Sequence, residues 1–176
     1  MSAIKHKEQR VGVLIDAQNL YHSAKHLYGA RVNFKEILKT AVAGRKLIRA
    51  VAYVIKTEGG EEKSFFDALT KMGIEMRVKD LQIFPGGVKK GDWDIGMAID
   101  AVRLASQLDA IVLVTGDGDF VPLVEYLKYN HGLQVEVLSF ERSSSNKLVE
   151  AADDFTDLGK NAQHLFINNN KTNHRF

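Results

Sequence analysis

Five short runs of aliphatic and β-branched residues, at 11–15, 49–55, 75–79, 110–115 and 134–139, alternate with stretches of helical apolar spacing at 17–28, 34–43, 61–72, 94–107 and 119–130, and a last one follows at 146–152. No other feature limits the fold as strongly. A strand that is followed by a helix and then another strand returns by a crossover, so successive strands come out parallel and the helices cover the sheet. The runs at 11–15 and 111–114 carry no polar residue, as strands buried on both faces do. The expected fold is therefore α/β, a three-layer αβα sandwich around a mainly parallel sheet of about five strands. Gly29, Gly44, Gly73 and Gly132 each follow a helical stretch, where left-handed C-caps are needed.

Between the third strand and the next helix, 80–92 reads DLQIFPGGVKKGD, whose Pro-Gly-Gly predicts a hairpin or projecting loop. The domain is expected to span 11–159, with a basic segment at 1–10 before it and a basic, flexible tail at 160–176 after it. Lys5, Lys7 and Arg10 against Glu8 give the first segment +2, and Lys160, Lys171 and Arg175 give the tail +3, so a chain of net charge +2 leaves −3 on the core. Acidic core and basic ends suit a cation site that must still attract a polyanion. The absence of cysteine excludes disulfides and thiolate metal sites, leaving oxygen or imidazole ligands. No apolar run reaches the ~20 residues of a membrane span, and the N-terminus lacks a secretory hydrophobic segment, so a cytoplasmic, membrane-free protein is expected.

Parallel sheets place functional groups just beyond the carboxyl ends of their strands. Asp16 directly follows the first apolar run, in Asp16-Ala-Gln-Asn19; Asp117 and Asp119 follow the fourth, in Thr-Gly-Asp-Gly-Asp-Phe; Asp94 lies where the projecting loop enters a helix. Singly, each aspartate is explained as a helix N-cap. If the first and fourth strands are neighbours, however, all converge, and carboxylates so gathered repel one another unless a cation lies between them. Oxygen ligands alone favour Mg2+ or Mn2+, and such an ion suits phosphoryl chemistry. Asp100, six residues beyond Asp94, is turned about 240° around the helix and ranks second.

The segments VLIDAQNLY (13–21), KGDWDIGMAID (90–100), VTGDGDFVPL (114–123) and ADDFTDL (152–158) together resemble the NYN domain, in its LabA/DUF88 branch of the PIN-like nuclease superfamily, over about residues 10–159. The resemblance implies a Rossmann-like, PIN-like sheet and a metal-dependent ribonuclease. Asp16, Asp94, Asp117 and Asp119 would bind the metal, with Asn19 as a polar partner, and phosphodiester hydrolysis would leave 5′-phosphate and 3′-hydroxyl ends. The chain departs from the family pattern in having Asp92 and Trp93 between the glycine and the acid, so Asp92 competes with Asp94 for the metal role; Asp94 is preferred because Ile-Gly-Met-Ala-Ile-Asp follows it in the family's register. Single-stranded RNA is the implied partner, and a homo-oligomer is compatible.

Lys89 and Lys90 on the projecting loop, and Ser143 and Ser145 after the fifth strand, are candidates to hold phosphate, with Ser145 also the expected cap of the helix at 146. Trp93, between two aspartates, is expected to be exposed for base stacking; Tyr21, His22 and Phe84 are further aromatic candidates. His22 and His26 are four apart but lack a third ligand for zinc. Two competitors stand beside the nuclease: a phosphatase with Asp16 as nucleophile, which would want an acid where Gln18 stands, and a catalytically silent RNA- or protein-binding module.

Overall fold

The computed structural model describes residues 2–56, 63–87 and 89–167. Its strands are β1 (Arg10–Asp16), β2 (Lys46–Lys56), β3 (Glu75–Asp80), β4 (Gln82–Ile83), β5 (Lys89–Lys90), β6 (Ala110–Val114), β7 (Gln134–Ser139) and β8 (Asp154–Asp157). Six of these form one sheet in the order β3-β2-β1-β6-β7-β8, with every neighbouring pair parallel. The pair β4 and β5 is the antiparallel hairpin that the Pro-Gly-Gly turn predicts.

The order explains where a site can form. From β1 the chain winds outward through α1 (Ala17–Tyr28) and α2 (Phe34–Val42) to β2, then through α3 (Lys63–Lys71) to β3. It crosses back by α4 (Asp94–Leu104) to β6 on the other side of β1, and leaves through α5 (Val121–His131) to β7 and α6 (Asn146–Ala151) to β8. At β1 and β6 the winding reverses, and it is outside the carboxyl ends of the strands at such a switch point that an open parallel sheet offers a crevice for a ligand.

Strand alternation divides the core. Val11, Val13 and Ile15 point into one cluster with Leu20, Ala24 and Ile37 of α1 and α2, whereas Leu14 joins Met97, Ala101, Val124 and Leu127 of α4 and α5 on the opposite face. Buried on both faces, β1 and β6 are stiff supports for the loops at their ends. No helix among the described residues is long and apolar enough to cross a membrane.

Three features differ from the sequence-based expectation. A sixth strand, β8, pairs at the edge; its Asp-Phe-Thr-Asp has too little apolar character to read as a strand, and the ladder to β7 supplies what composition does not. Folded structure also continues past residue 159. The amide of Asn33 donates to the Leu165 carbonyl at 2.6 Å and Leu165 is buried, so α7 (Ala162–Leu165) closes over α2. Leu165 and Phe166 therefore pack on the core within the segment expected to be a flexible tail; 168–176, and residues 61 and 62 of the predicted third helix, lie outside the described residues. Finally, the basic N-terminal segment lies at the amino ends of the strands, where Lys5 pairs with Asp154 at 3.1 Å and Glu136 at 3.6 Å. Its charge serves the fold at the end of the sheet opposite the crevice.

Candidate metal centre

The last residue of β1, Asp16, is also the N-cap of α1, and its Oδ1 accepts the Asn19 amide at 3.1 Å. The bland reading of this aspartate is thus fulfilled, yet only one oxygen is used for it. Oδ2 accepts from the hydroxyl of Thr115, at 3.2 Å, across the gap between β1 and β6. The same hydroxyl accepts the Asp117 amide at 3.3 Å, and the Gly116 amide donates to Asn19 Oδ1 at 3.0 Å. Asn19 therefore fastens α1 to the loop after β6. Thr115, which the sequence reading passed over, is the buried link between the two strand ends. A hydroxyl residue closing an apolar run just before Gly-Asp was the available signal.

Asp117 caps the short 3-10 turn Gly118–Phe120, its Oδ1 accepting the Asp119 amide at 2.9 Å. The loop can lie this close only because of its glycines. A Cβ on Gly116 would stand 2.8 Å from Ser139 Oγ and 3.1 Å from the backbone Cα of Ser144, and one on Gly118 would stand 2.7 Å from Ser145 Oγ. Ser145 occupies the N-cap of α6 without the predicted side-chain cap; its amide donates to the Gly116 carbonyl at 2.9 Å, so the serine segment buttresses the acidic loop. Ser143 is exposed, and its hydroxyl reaches its own turn's Phe140 carbonyl at 3.4 Å.

Asp94 opens α4 on the other side of the crevice, and carboxylate oxygens of Asp94, Asp117 and Asp119 all lie within 4.8 Å of one another. Asp94 has its pKa pushed up to about 6, by burial first and then by the charges of Asp117, Asp92, Asp16 and Asp119. Asp16 is raised as well, again chiefly by burial, with Asp117 and Asp92 adding to it. The fold therefore holds carboxylates together against their own repulsion. A hard divalent cation with an all-oxygen shell fits this donor set. Asp16 borders the trio rather than belonging to it, each of its oxygens accepting one hydrogen bond. Asp92 is exposed and contributes its charge, but it is Asp94 whose carboxylate joins the cluster. Asp100 is remote from this chemistry: its Oδ2 accepts the Tyr53 hydroxyl at 2.8 Å and faces Arg77 Nε at 3.3 Å.

The crowding makes a prediction for the metal-free protein. The folded pKa of Asp94 lies above the ordinary 3.8, so its proton favours the fold. That stability is fully present below about pH 4 and is lost as pH rises through about 6. Asp94→Asn should hence melt higher than the parent in EDTA at neutral pH, the difference fading toward pH 4. An acid in the first helical turn contributes ~0.3–1 kcal/mol in the opposite sense, but the net upward shift means that repulsion and burial win. A variant melting below the parent at neutral pH would contradict the crowding.

Trp93 is not an exposed stacking platform. It is half-buried, its indole N–H donates to the Val54 carbonyl at 2.9 Å, and its ring lies against Gly96, where a Cβ would come within 2.6 Å of Cε3. An apolar ring with one donor is satisfied by burying the ring and pairing the N–H. Gly96→Ala should push the ring outward and red-shift the emission of this single tryptophan; an unchanged spectrum would refute that packing. Lys79, unremarked in the sequence, sits 4.5 Å from the centroid of the Trp93 ring and donates to the Asp92 carbonyl at 2.9 Å. Lys89 and Lys90 form β5 on the projecting hairpin, their side chains lying outside the described residues. Tyr21, His22, His26 and Phe84 are exposed, and neither histidine belongs to a potential metal cluster among the described residues.

The NYN domain family model matches residues 10–159. The chain is 27% identical over 161 residues to the Low amplitude and bright protein LabA of Synechococcus elongatus, covering 86% of this chain and 85% of that one. It is 26% identical to the uncharacterized protein MJ0482 of Methanocaldococcus jannaschii, covering 89% of this chain but 58% of that longer relative. Among solved structures, a protein of unknown function, VPA0982 of Vibrio parahaemolyticus, superposes with a TM-score of 0.80 at 29% identity, over 89% of this chain and 96% of that one.

Proposed function

The chain belongs to the NYN domain family, and from that premise we propose that it is a metal-dependent endoribonuclease hydrolysing phosphodiester bonds of single-stranded RNA. The observation that carries this reading is the meeting of Asp94, Asp117 and Asp119 within 4.8 Å at the reversal point of the sheet. Mg2+ or Mn2+ bound there would polarise a phosphoryl oxygen and acidify a water. The protein's own share is positional. Asp94, Asp117 and Asp119 would hold the cation, the first from a helix and the others from a loop fixed by Thr115 and Asn19. Asp16, held by the Thr115 hydroxyl and the Asn19 amide, presents a carboxylate of fixed orientation beside them, suited to orienting the attacking water. The buried strands beneath keep these distances from relaxing, which is what an in-line displacement requires.

The test is cleavage of a labelled single-stranded RNA with Mg2+ or Mn2+ and with EDTA, beside the same sequence as DNA. Cleavage that needs the metal and leaves 5′-phosphate ends is expected. Cleavage that persists in EDTA would overturn the proposal, and RNA binding without cleavage under any divalent metal would make the domain a silent binding module.

A further inference from the structure

On the α4 side of the sheet, the outer strands carry a row of cations. Val51 and Tyr53 of β2 face the core shared with α4, while Ala50, Ala52 and Val54 face the other; strict alternation then puts Arg49 on the α4 side too. In β3, Arg77 pairs in register with Tyr53 and Lys79 with Ile55, so both basic side chains share that side. From α4 comes Arg103, exposed and in no ion pair among the described residues. Arg49, Arg77 and Arg103, with Asp100 and Gln107, line a cavity of about 130 Å³.

Only part of this charge is spent within the protein. Glu75 takes Arg49 Nε at 2.7 Å and Asp100 faces Arg77 Nε at 3.3 Å. Both contacts run through Nε, and the two acids leave the four cations with a surplus of positive charge. The row also has a direction. Tyr53 stands opposite Asp16 in the β1–β2 ladder, so Arg77 lies two strands across from Asp16, about 10 Å away. Lys79, one side-chain position nearer the carboxyl end, touches Asp92 and Trp93 at the lip of the acidic cluster. In the other direction the row descends to Arg49, four residues or about 13 Å below Tyr53. Charges on an edge strand deter edge-to-edge pairing, but that purpose calls neither for a third arginine from a helix nor for a row that reaches the site.

We propose that this row is a docking track for the RNA strand on one side of the scissile bond, phosphate oxygens being taken by the terminal guanidinium nitrogens of Arg49 and Arg103 and by Arg77, with Lys79 at the entrance to the acids. Arginine suits this role because its planar fork grips phosphate while one edge remains paired to a carboxylate. The track deepens the ribonuclease reading and rests on it.

The experiment is fluorescence anisotropy of a labelled 12-nucleotide single-stranded RNA in Ca2+, an oxygen-seeking cation chosen to limit cleavage. Three proteins are compared across a salt series: the parent, Arg49→Gln with Arg103→Gln, and a control losing two exposed charges from α2 on the opposite face, Lys35→Gln with Lys39→Gln. The arginine pair was chosen because neither residue packs in the core. The expected result is roughly tenfold weaker binding by the arginine variant and a slope of log K against log salt shallower by about 1.4, the value for two phosphate contacts on a single strand. The control should stay near the parent. Equal weakening of both variants, or unchanged binding by the arginine variant, would overturn the track while leaving the ribonuclease reading standing. A parent that holds no RNA at any salt would remove both.

Discussion

Asp117→Asn is expected to lower metal-dependent RNA cleavage by roughly 10²–10³-fold, the usual cost of deleting one preorganised electrostatic contact to a reacting centre, with little change in the fold. The two effects separate because this side chain has two jobs. Its Oδ1 caps the turn by accepting the Asp119 amide at 2.9 Å, and asparagine keeps that acceptor. Its charge is what the trio with Asp94 and Asp119 needs to hold a cation, and asparagine gives that up. Asp100→Asn is the informative partner, since Asp100 lies on the same helix as Asp94 but is committed to Tyr53 and Arg77; cleavage within a few-fold of the parent is expected there. Single-turnover rates at saturating Mn2+, with melting curves for both variants, decide the matter. An Asp117→Asn protein within tenfold of the parent would refute the assignment of this carboxylate, as would an Asp100→Asn protein equally impaired.

How far this site could be read in the sequence follows from what each residue's role depends on. Asp16 and Asp117 stood out because each comes just after a run that is apolar on both faces, Asp16 directly and Asp117 beyond Thr115 and Gly116, and such runs become neighbouring central strands, here β1 and β6. Asp94 was nominated by family resemblance, since nothing local distinguishes it from Asp92; the three-dimensional path of the hairpin into α4 makes the difference. Trp93 was misread because a tryptophan flanked by aspartates looks solvated, whereas burial is decided by Gly96 one turn on and by the Val54 carbonyl of another strand. The arginine row was invisible for a related reason. Arg49, Arg77 and Arg103 lie in three elements, and only the register of β2 against β3 and the placement of α4 bring them together.

The feature least legible of all carries the largest expected effect on stability. Gln-Val-Glu-Val-Leu-Ser in β7 has the alternation of a half-exposed strand, yet Glu136 is 1% exposed. It is compensated by Arg45, 91 residues earlier, through a bidentate pair at 2.6 and 3.0 Å. Arg45 completes its shell with the carbonyls of Val42 at 3.0 Å and Ala41 at 2.9 Å, and Gln134 donates to Glu136 at 2.9 Å. Two desolvated charges of this kind roughly offset each other, so the pair as a whole adds little stability, whereas removing one partner strands the other and costs about 3–5 kcal/mol. Glu136→Ala is therefore expected to lower the melting temperature by roughly 10 °C, at 2–4 °C per kcal/mol for a domain of this size. Replacing both partners, as Arg45→Met with Glu136→Leu, should recover most of that loss because apolar groups of similar volume need no compensation. A double variant melting as low as Glu136→Ala would show that the ion pair shapes the α2–β2 junction itself; a Glu136→Ala protein melting with the parent would show that Arg45 finds its compensation elsewhere.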